Sequence, residues 1–123
     1  MPALTRTADR LPIVSYGGGG FRFATAPHQG SVLILASGVY VWPVTRFEDL
    51  DAGMLLAALA NEPPADFLLL GTGATQIFPG PAIAAAFDAA GLGLEVMATP
   101  PACRTFNLLL AEQRHFAAAL IAI

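Results

Sequence analysis

Lysine is absent from this 123-residue chain, and every basic residue is an arginine: Arg6, Arg10, Arg22, Arg46, Arg104 and Arg114. Without lysine there is no Schiff-base chemistry and no P-loop lysine to meet a nucleotide phosphate. Nine acids against six arginines leave a net charge of −3, and the arginines form no stripe. Nucleic-acid binding by phosphate neutralisation is therefore excluded as a leading function, as is a polybasic membrane patch. Charge of either sign is scarce at 12% of residues, against about 25% in typical chains. A surface so short of charge favours a homodimer or a protein partner, although a compact alanine-rich fold accounts for the same composition. The single cysteine, Cys103, excludes an internal disulfide and any site built from several cysteines. His28 and His115 have no ligand spacing between them, so no metal site and no cofactor is expected. Long hydrophobic runs are missing too. The longest strictly apolar run, Phe116 to Ile123, has eight residues, against the roughly 20 that a spanning helix needs. Met1 to Arg10 is polar and lacks the apolar core of a signal peptide. These absences together predict a soluble protein of the bacterial cytoplasm, peripheral to the inner membrane only through a partner.

What is present is a regular alternation of apolar segments and turn residues. The length suits one domain, with about 6,200 Å² left accessible after folding by size scaling. Residues 1–12 read as a flexible arm before a domain over 13–123. Ile13 to Tyr16, Phe21 to Phe23, Ser31 to Leu35 and Val39 to Trp42 read as strands. The glycine run Gly17 to Gly20 and the segment Pro27 to Gly30 read as turns. The rhythm then changes. Asp51 can cap a helix running to about Ala60, and Pro63-Pro64 stops it. Phe67 to Leu70 is a continuous apolar run, as in a strand buried on both faces. Pro81 suits the first turn of a helix ending at Gly91. Leu94 to Met97 is a strand, Pro100-Pro101 opens a helix from about Ala102 to Glu112, and Phe116 to Ile121 is a last strand whose alanines would also allow a helix. The expected fold class is α/β: a three-layer single domain with a mixed central sheet, N-terminal β-hairpins being followed by α-β-α-β-α-β.

Two segments carry candidate chemistry. Gly71-Thr72-Gly73 follows the buried strand, and glycines there let backbone amides approach an anion. The dinucleotide fingerprint is incomplete, since Gln76 stands where its third glycine belongs. A tight turn without a ligand explains the same residues. Pro100 to Asn107 lies at the carboxyl end of the next strand, where open α/β sheets place ligands. Cys103 there sits in a first helical turn beside Arg104, and both features lower a thiol pKa. Asn107 shares its helix face four residues on. A cysteine nucleophile with His28 or His115 as base is one reading. A small cysteine buried in helix packing, with Asn107 tying down a loop, is the other. Glu48, Asp49 and Asp51 fit capping and the helix dipole. Trp42 reads as an anchor of the core or of an interface, and Arg22 as an exposed strand residue.

Five stretches in this order resemble one small family: Tyr16 to Arg22, Gly30 to Leu35, Gly38 to Pro43, Leu70 to Gly73 and Cys103 to Asn107. That family includes the mitochondrial respiratory complex I assembly factor three and uncharacterised bacterial and archaeal proteins. The resemblance covers roughly residues 13 to 123. It implies a three-layer α/β fold and, by relatedness, a non-catalytic interaction module assisting assembly of a respiratory or other membrane complex. Its partners would be respiratory complex subunits or membrane-assembly proteins. One departure is Gln113, where a glycine is expected before the last strand. A second reading, from a different class, is a small-molecule binding protein or enzyme. Its pocket would lie between Gly71, Thr72, Gly73 and Cys103, Arg104, Thr105, Asn107, gripping an anion through backbone amides and polar side chains.

Overall fold

The structure, a computed structural model, describes residues 4–123. Among these residues nine strands and three α-helices follow one another. The strands are β1 (Arg6–Ala8), β2 (Ile13–Gly17), β3 (Gly20–Phe23), β4 (Pro27–Gln29), β5 (Val32–Leu35), β6 (Gly38–Val41), β7 (Phe67–Gly71), β8 (Gly93–Met97) and β9 (Phe116–Leu120). The helices are α1 (Ala52–Ala60), α2 (Pro81–Ala89) and α3 (Thr99–Ala111). Six strands form a mixed sheet in the order β1-β6-β5-β9-β7-β8, and β2-β3-β4 form a separate antiparallel sheet.

Strand β9 holds the centre. It runs antiparallel to β5 and parallel to β7. All five of its residues, Phe-Ala-Ala-Ala-Leu, are buried. Helix propensity would allow this segment to coil, but pairing with a strand on each edge overrides that preference. Its side chains alternate between two cores, as the pleat demands. Phe116, Ala118 and Leu120 join Ile13, Phe21, Phe23, Val32, Ile34, Cys103 and Phe106 on the face covered by α3 and the small sheet. Ala117 and Ala119 join Leu33, Leu35, Trp42, Leu55, Leu59 and Phe87 on the face covered by α1 and α2. The result is three layers around a mixed sheet. The accessible area is 6205 Å², close to the figure that size scaling gives for a folded monomer of this length.

Local signals account for the helix ends. The Asp51 carboxylate accepts from the backbone N–H of Gly53 and Met54, capping α1. Helix α2 ends with Gly91 at a φ of 72° and a Leu92 N–H to Phe87 carbonyl bond, a Schellman closure. Helix α3 ends in the same way, with Arg114 N–H on the Leu109 carbonyl, but Gln113 occupies the left-handed position at a φ of 58°. The departure noted in the sequence is thus accommodated with the turn intact, at the roughly 1 kcal/mol that a side chain costs there.

Two sequence readings are revised. Pro27 to Gly30 is not simply a turn, because Pro27–Gln29 is the edge strand β4 pairing with β3. Proline is tolerated at the first residue of an edge strand. Helix α3 starts at Thr99, ahead of Pro100-Pro101. The two prolines sit in the first turn, where no N–H is needed. Within the stretch read as an arm over 1–12, Arg6–Ala8 form β1 and pair with β6. Arg10 further along donates to the Phe116 carbonyl at 2.6 Å. Residues 1–3 of that arm lie outside the described residues.

Candidate functional site

The two segments singled out for chemistry meet at the carboxyl ends of β7 and β8, and their polar groups are taken up by the fold. Gly71 is forced by packing: a Cβ there would lie 2.9 Å from Leu120 Cδ2 and 3.0 Å from Thr99 Oγ1. Gly73 turns the chain at a φ of 100°. Its N–H, read from the sequence as a donor to an anion, donates to Thr99 Oγ1 at 2.9 Å. The Thr99 hydroxyl in turn donates to the Ile121 carbonyl at 2.7 Å. Thr72 Oγ1 donates to the Thr75 carbonyl and accepts from Ile77 N–H. These glycines and threonines stitch β7, α3 and the end of β9 together.

The residues from 103 to 107 split between two environments. Cys103 is 3% exposed and belongs to the core. Burial pushes its thiol up to about 12, and nearby Arg104 only partly offsets this. Desolvation therefore beats the helix terminus and the adjacent charge on which a reactive thiol would depend. Thr105 Oγ1 donates to Met97 Sδ at 3.4 Å. The Asn107 amide is clamped to β2: its oxygen accepts from Ile13 N–H and its nitrogen donates to the Ile13 carbonyl, both at 2.8 Å. Arg104 is exposed and makes no ion pair among the described residues. Gly71 and Gly73 thus contact the start of α3, at Thr99 and Ala102, while Arg104 faces solvent.

The thiol gives a direct test. At pH 7 a group titrating near 12 holds roughly a thousandfold less thiolate than a free cysteine. Iodoacetamide labelling of the native chain is expected to be slower than that of the unfolded chain by at least that order. The acid is favoured neutral in the folded state, so this contribution to stability is complete below about pH 9 and is lost as pH rises towards 12. Denaturant melts across that window, compared with Cys103→Ala, should show a shallower fall for the variant.

The histidines are spoken for in different ways. His28 is buried, with Nδ1 2.7 Å from Thr7 Oγ1 and Nε2 2.9 Å from the Ser31 carbonyl. A ring bonded at both nitrogens braces β4 against β1 and has no free nitrogen for a base. His115 is exposed just before β9. Trp42 is an anchor of the core on the α1–α2 face. Sequence reasoning passed over Thr99 and Arg10. A threonine just ahead of a Pro-Pro pair marks the start of α3, which is a usable sign for the first. Arg10 could not be found locally, because its partner is 106 positions away.

The clamp has a second consequence. The residues that follow its two partners, Val14 and Leu108, are large, apolar and 63% and 60% exposed. Arg104 and Leu108 lie four apart on α3, hence on one face. Tyr16, two along from Val14 on β2, is exposed as well.

A family model described as a protein of unknown function, DUF498/DUF598, matches residues 13–121. The chain belongs to this family. An uncharacterised member from Rhodobacter capsulatus is 41% identical over 114 residues, covering 93% of this chain and 86% of that protein. NADH dehydrogenase (ubiquinone) 1 alpha subcomplex assembly factor 3 of Danio rerio is 34% identical over 109 residues, covering 89% of this chain and 63% of the factor. The chain thus spans less than two thirds of the length of that assembly factor. Among solved structures, a Rhodopseudomonas palustris protein superposes with a TM-score of 0.79 at 40% identity, covering all of this chain and 89% of the other. A Mth938-like domain of Bordetella pertussis gives 0.75 at 29% identity, covering 99% and 92%. The DUF498/DUF598 fold therefore places β9 between the antiparallel and parallel halves of its sheet, and the family resemblance read from the sequence is confirmed. No helix of the described residues is long and apolar enough to cross a membrane.

Proposed function

We propose that this chain is a non-catalytic interaction module that docks a protein partner during assembly of a respiratory or other membrane complex. The observation that carries this reading is the contrast within α3. Cys103, Thr105 and Asn107 are taken up by the fold, while Arg104 and Leu108 stand exposed on the same helix, and Val14 is exposed on the strand that Asn107 clamps. An arginine with apolar neighbours on a rigid, clamped element is a typical composition for the centre of a protein interface. The assembly-factor relatives supply the partner class.

The test is a tagged pull-down from the native host after mild detergent solubilisation, with mass spectrometry of what is retained. Respiratory or membrane-assembly subunits should be recovered above a tagged control. Leu108→Asp and Arg104→Glu should each weaken that recovery by tenfold or more with melting temperature nearly unchanged, because both side chains already face water. Undiminished recovery with both variants would move the docking surface elsewhere.

A further inference from the structure

The opposite end of the sheet carries a feature that the docking reading leaves unused. Below the amino ends of β7 and β9 is a cleft of about 70 Å³ lined by Arg10, Arg114, His115, Glu62, Phe116 and neighbouring apolar residues. Its two guanidinium groups are held by aromatic rings. Phe67 and Phe116 stack with centroids 5.7 Å apart and an interplanar angle of 16°. Arg10 lies over Phe116 at 4.7 Å and Arg114 over Phe67 at 5.8 Å. Cation–π contact of this kind fixes a guanidinium in place while leaving its edge free to bond.

The charges around the cleft do not balance. Arg10 makes no ion pair among the described residues, and its Nε is buried without a partner. Burial alone pulls its pKa below the ordinary arginine value, the direction expected of a cation lacking a counter-charge. Glu62, the one acid among the described lining residues, leaves two arginines facing a single carboxylate, and that carboxylate accepts from Ser37 N–H at 2.9 Å and from Ser37 Oγ at 3.0 Å. Glu112 reaches Arg114 only at 3.9 Å, with both side chains half exposed. A space of about 70 Å³ holds on the order of five waters, and a phosphate group has five heavy atoms.

We propose that this cleft is a binding site for a tetrahedral oxyanion of the phosphate class, gripped by Arg10 and Arg114 with His115 at its rim. Arg10 and Arg114 both line this small space, and guanidinium groups offer the several N–H donors that phosphate oxygens require. The anion supplies the counter-charge that Arg10 lacks. The cleft also shares Leu59, Glu62, Pro64 and Ala65 with an adjoining groove of about 420 Å³ walled by Leu56, Leu92 and Ala90. A phosphate attached to an apolar remainder would lay that remainder along this groove, whereas a free ion would leave it unused.

The experiment uses the full chain, exchanged into buffer free of phosphate and sulfate at pH 7. Inorganic phosphate is titrated against sodium chloride of matched ionic strength, followed by melting temperature and by calorimetry at 25 °C. Phosphate at ten times its dissociation constant should raise the melting temperature by about 5 °C beyond the chloride control. Arg10→Gln and Arg114→Gln should each weaken phosphate binding tenfold or more, and Arg104→Gln should leave it unchanged. Arg114 is half exposed, so its variant tests the site even if Arg10→Gln fails to fold. Hexyl phosphate binding more tightly than inorganic phosphate would identify a phosphoester as the source, and the reverse a free ion. An equal rise with chloride, or full phosphate binding by Arg114→Gln, overturns the proposal.

Discussion

Thr99→Val is expected to lower stability by about 2–5 kcal/mol. Thr99 has no exposed surface, and its hydroxyl accepts from Gly73 N–H while donating to the Ile121 carbonyl. Valine fills the same volume but leaves both backbone groups buried without a partner. Each such orphan costs about 1–3 kcal/mol, more than the modest net gain of the bonds themselves. For a domain of this size the loss corresponds to a fall in melting temperature of roughly 10–20 °C. Thr99→Ser keeps the hydroxyl and should lose only about 1 kcal/mol, for the missing methyl. Thermal or urea melts of the two variants check the argument. Equal stability of valine and wild type would mean that the Gly73 amide finds another acceptor, and would reopen it to an anion.

Asn107→Leu should cost about 2–4 kcal/mol, and most of that loss should be local. The Asn107 side chain supplies both an acceptor and a donor to one residue, Ile13, 94 positions away. Removing it unpins β2, an edge strand of the small sheet, from α3. Amide exchange should quicken across Ile13 to Phe23 and stay slow in β5, β7 and β9. Asn107→Asp is nearly isosteric yet should fail to restore protection, because its second oxygen would face the Ile13 carbonyl instead of donating to it. Uniform acceleration across both sheets would show that the small sheet is not a separate unit. The same variants bear on docking, since Val14 and Leu108 are presented by this clamp.

Much of the architecture was legible from local pattern. Asp51 and the Pro63-Pro64 stop bracket α1, and Gly91 ends α2 as a left-handed closure must. Phe67 to Leu70 reads as a strand buried on both faces and is one. Misreadings fell where context outweighs composition. Pro27 looks like a turn residue, yet at the start of an edge strand its missing N–H costs nothing. The glycines at 71 and 73 read either as a phosphate turn or as a tight turn without a ligand, and local pattern does not choose between them. A Cβ at Gly71 would meet Leu120 and Thr99 closely, and Gly73 makes the turn towards α3 at a positive φ. For Cys103 the sequence offered both a lowered pKa and a buried packing role, and its neighbours in space favour the second, raising the thiol to about 12.

The sequence by itself determined the chemistry that this protein is denied and the elements from which it is built. A chain without lysine, with one cysteine and few charges, has a short menu of sites, and the periods of 2 and 3.6 residues mark which side of each element turns inward. Only the tertiary structure decided that β9 inserts between β5 and β7, that Asn107 closes on Ile13, and that Arg10 meets Phe116. Periodicity is a property of neighbours along the chain, whereas these pairings join residues about a hundred positions apart. Their partners are selected by which buried faces and unmet donors fit once the whole core has closed.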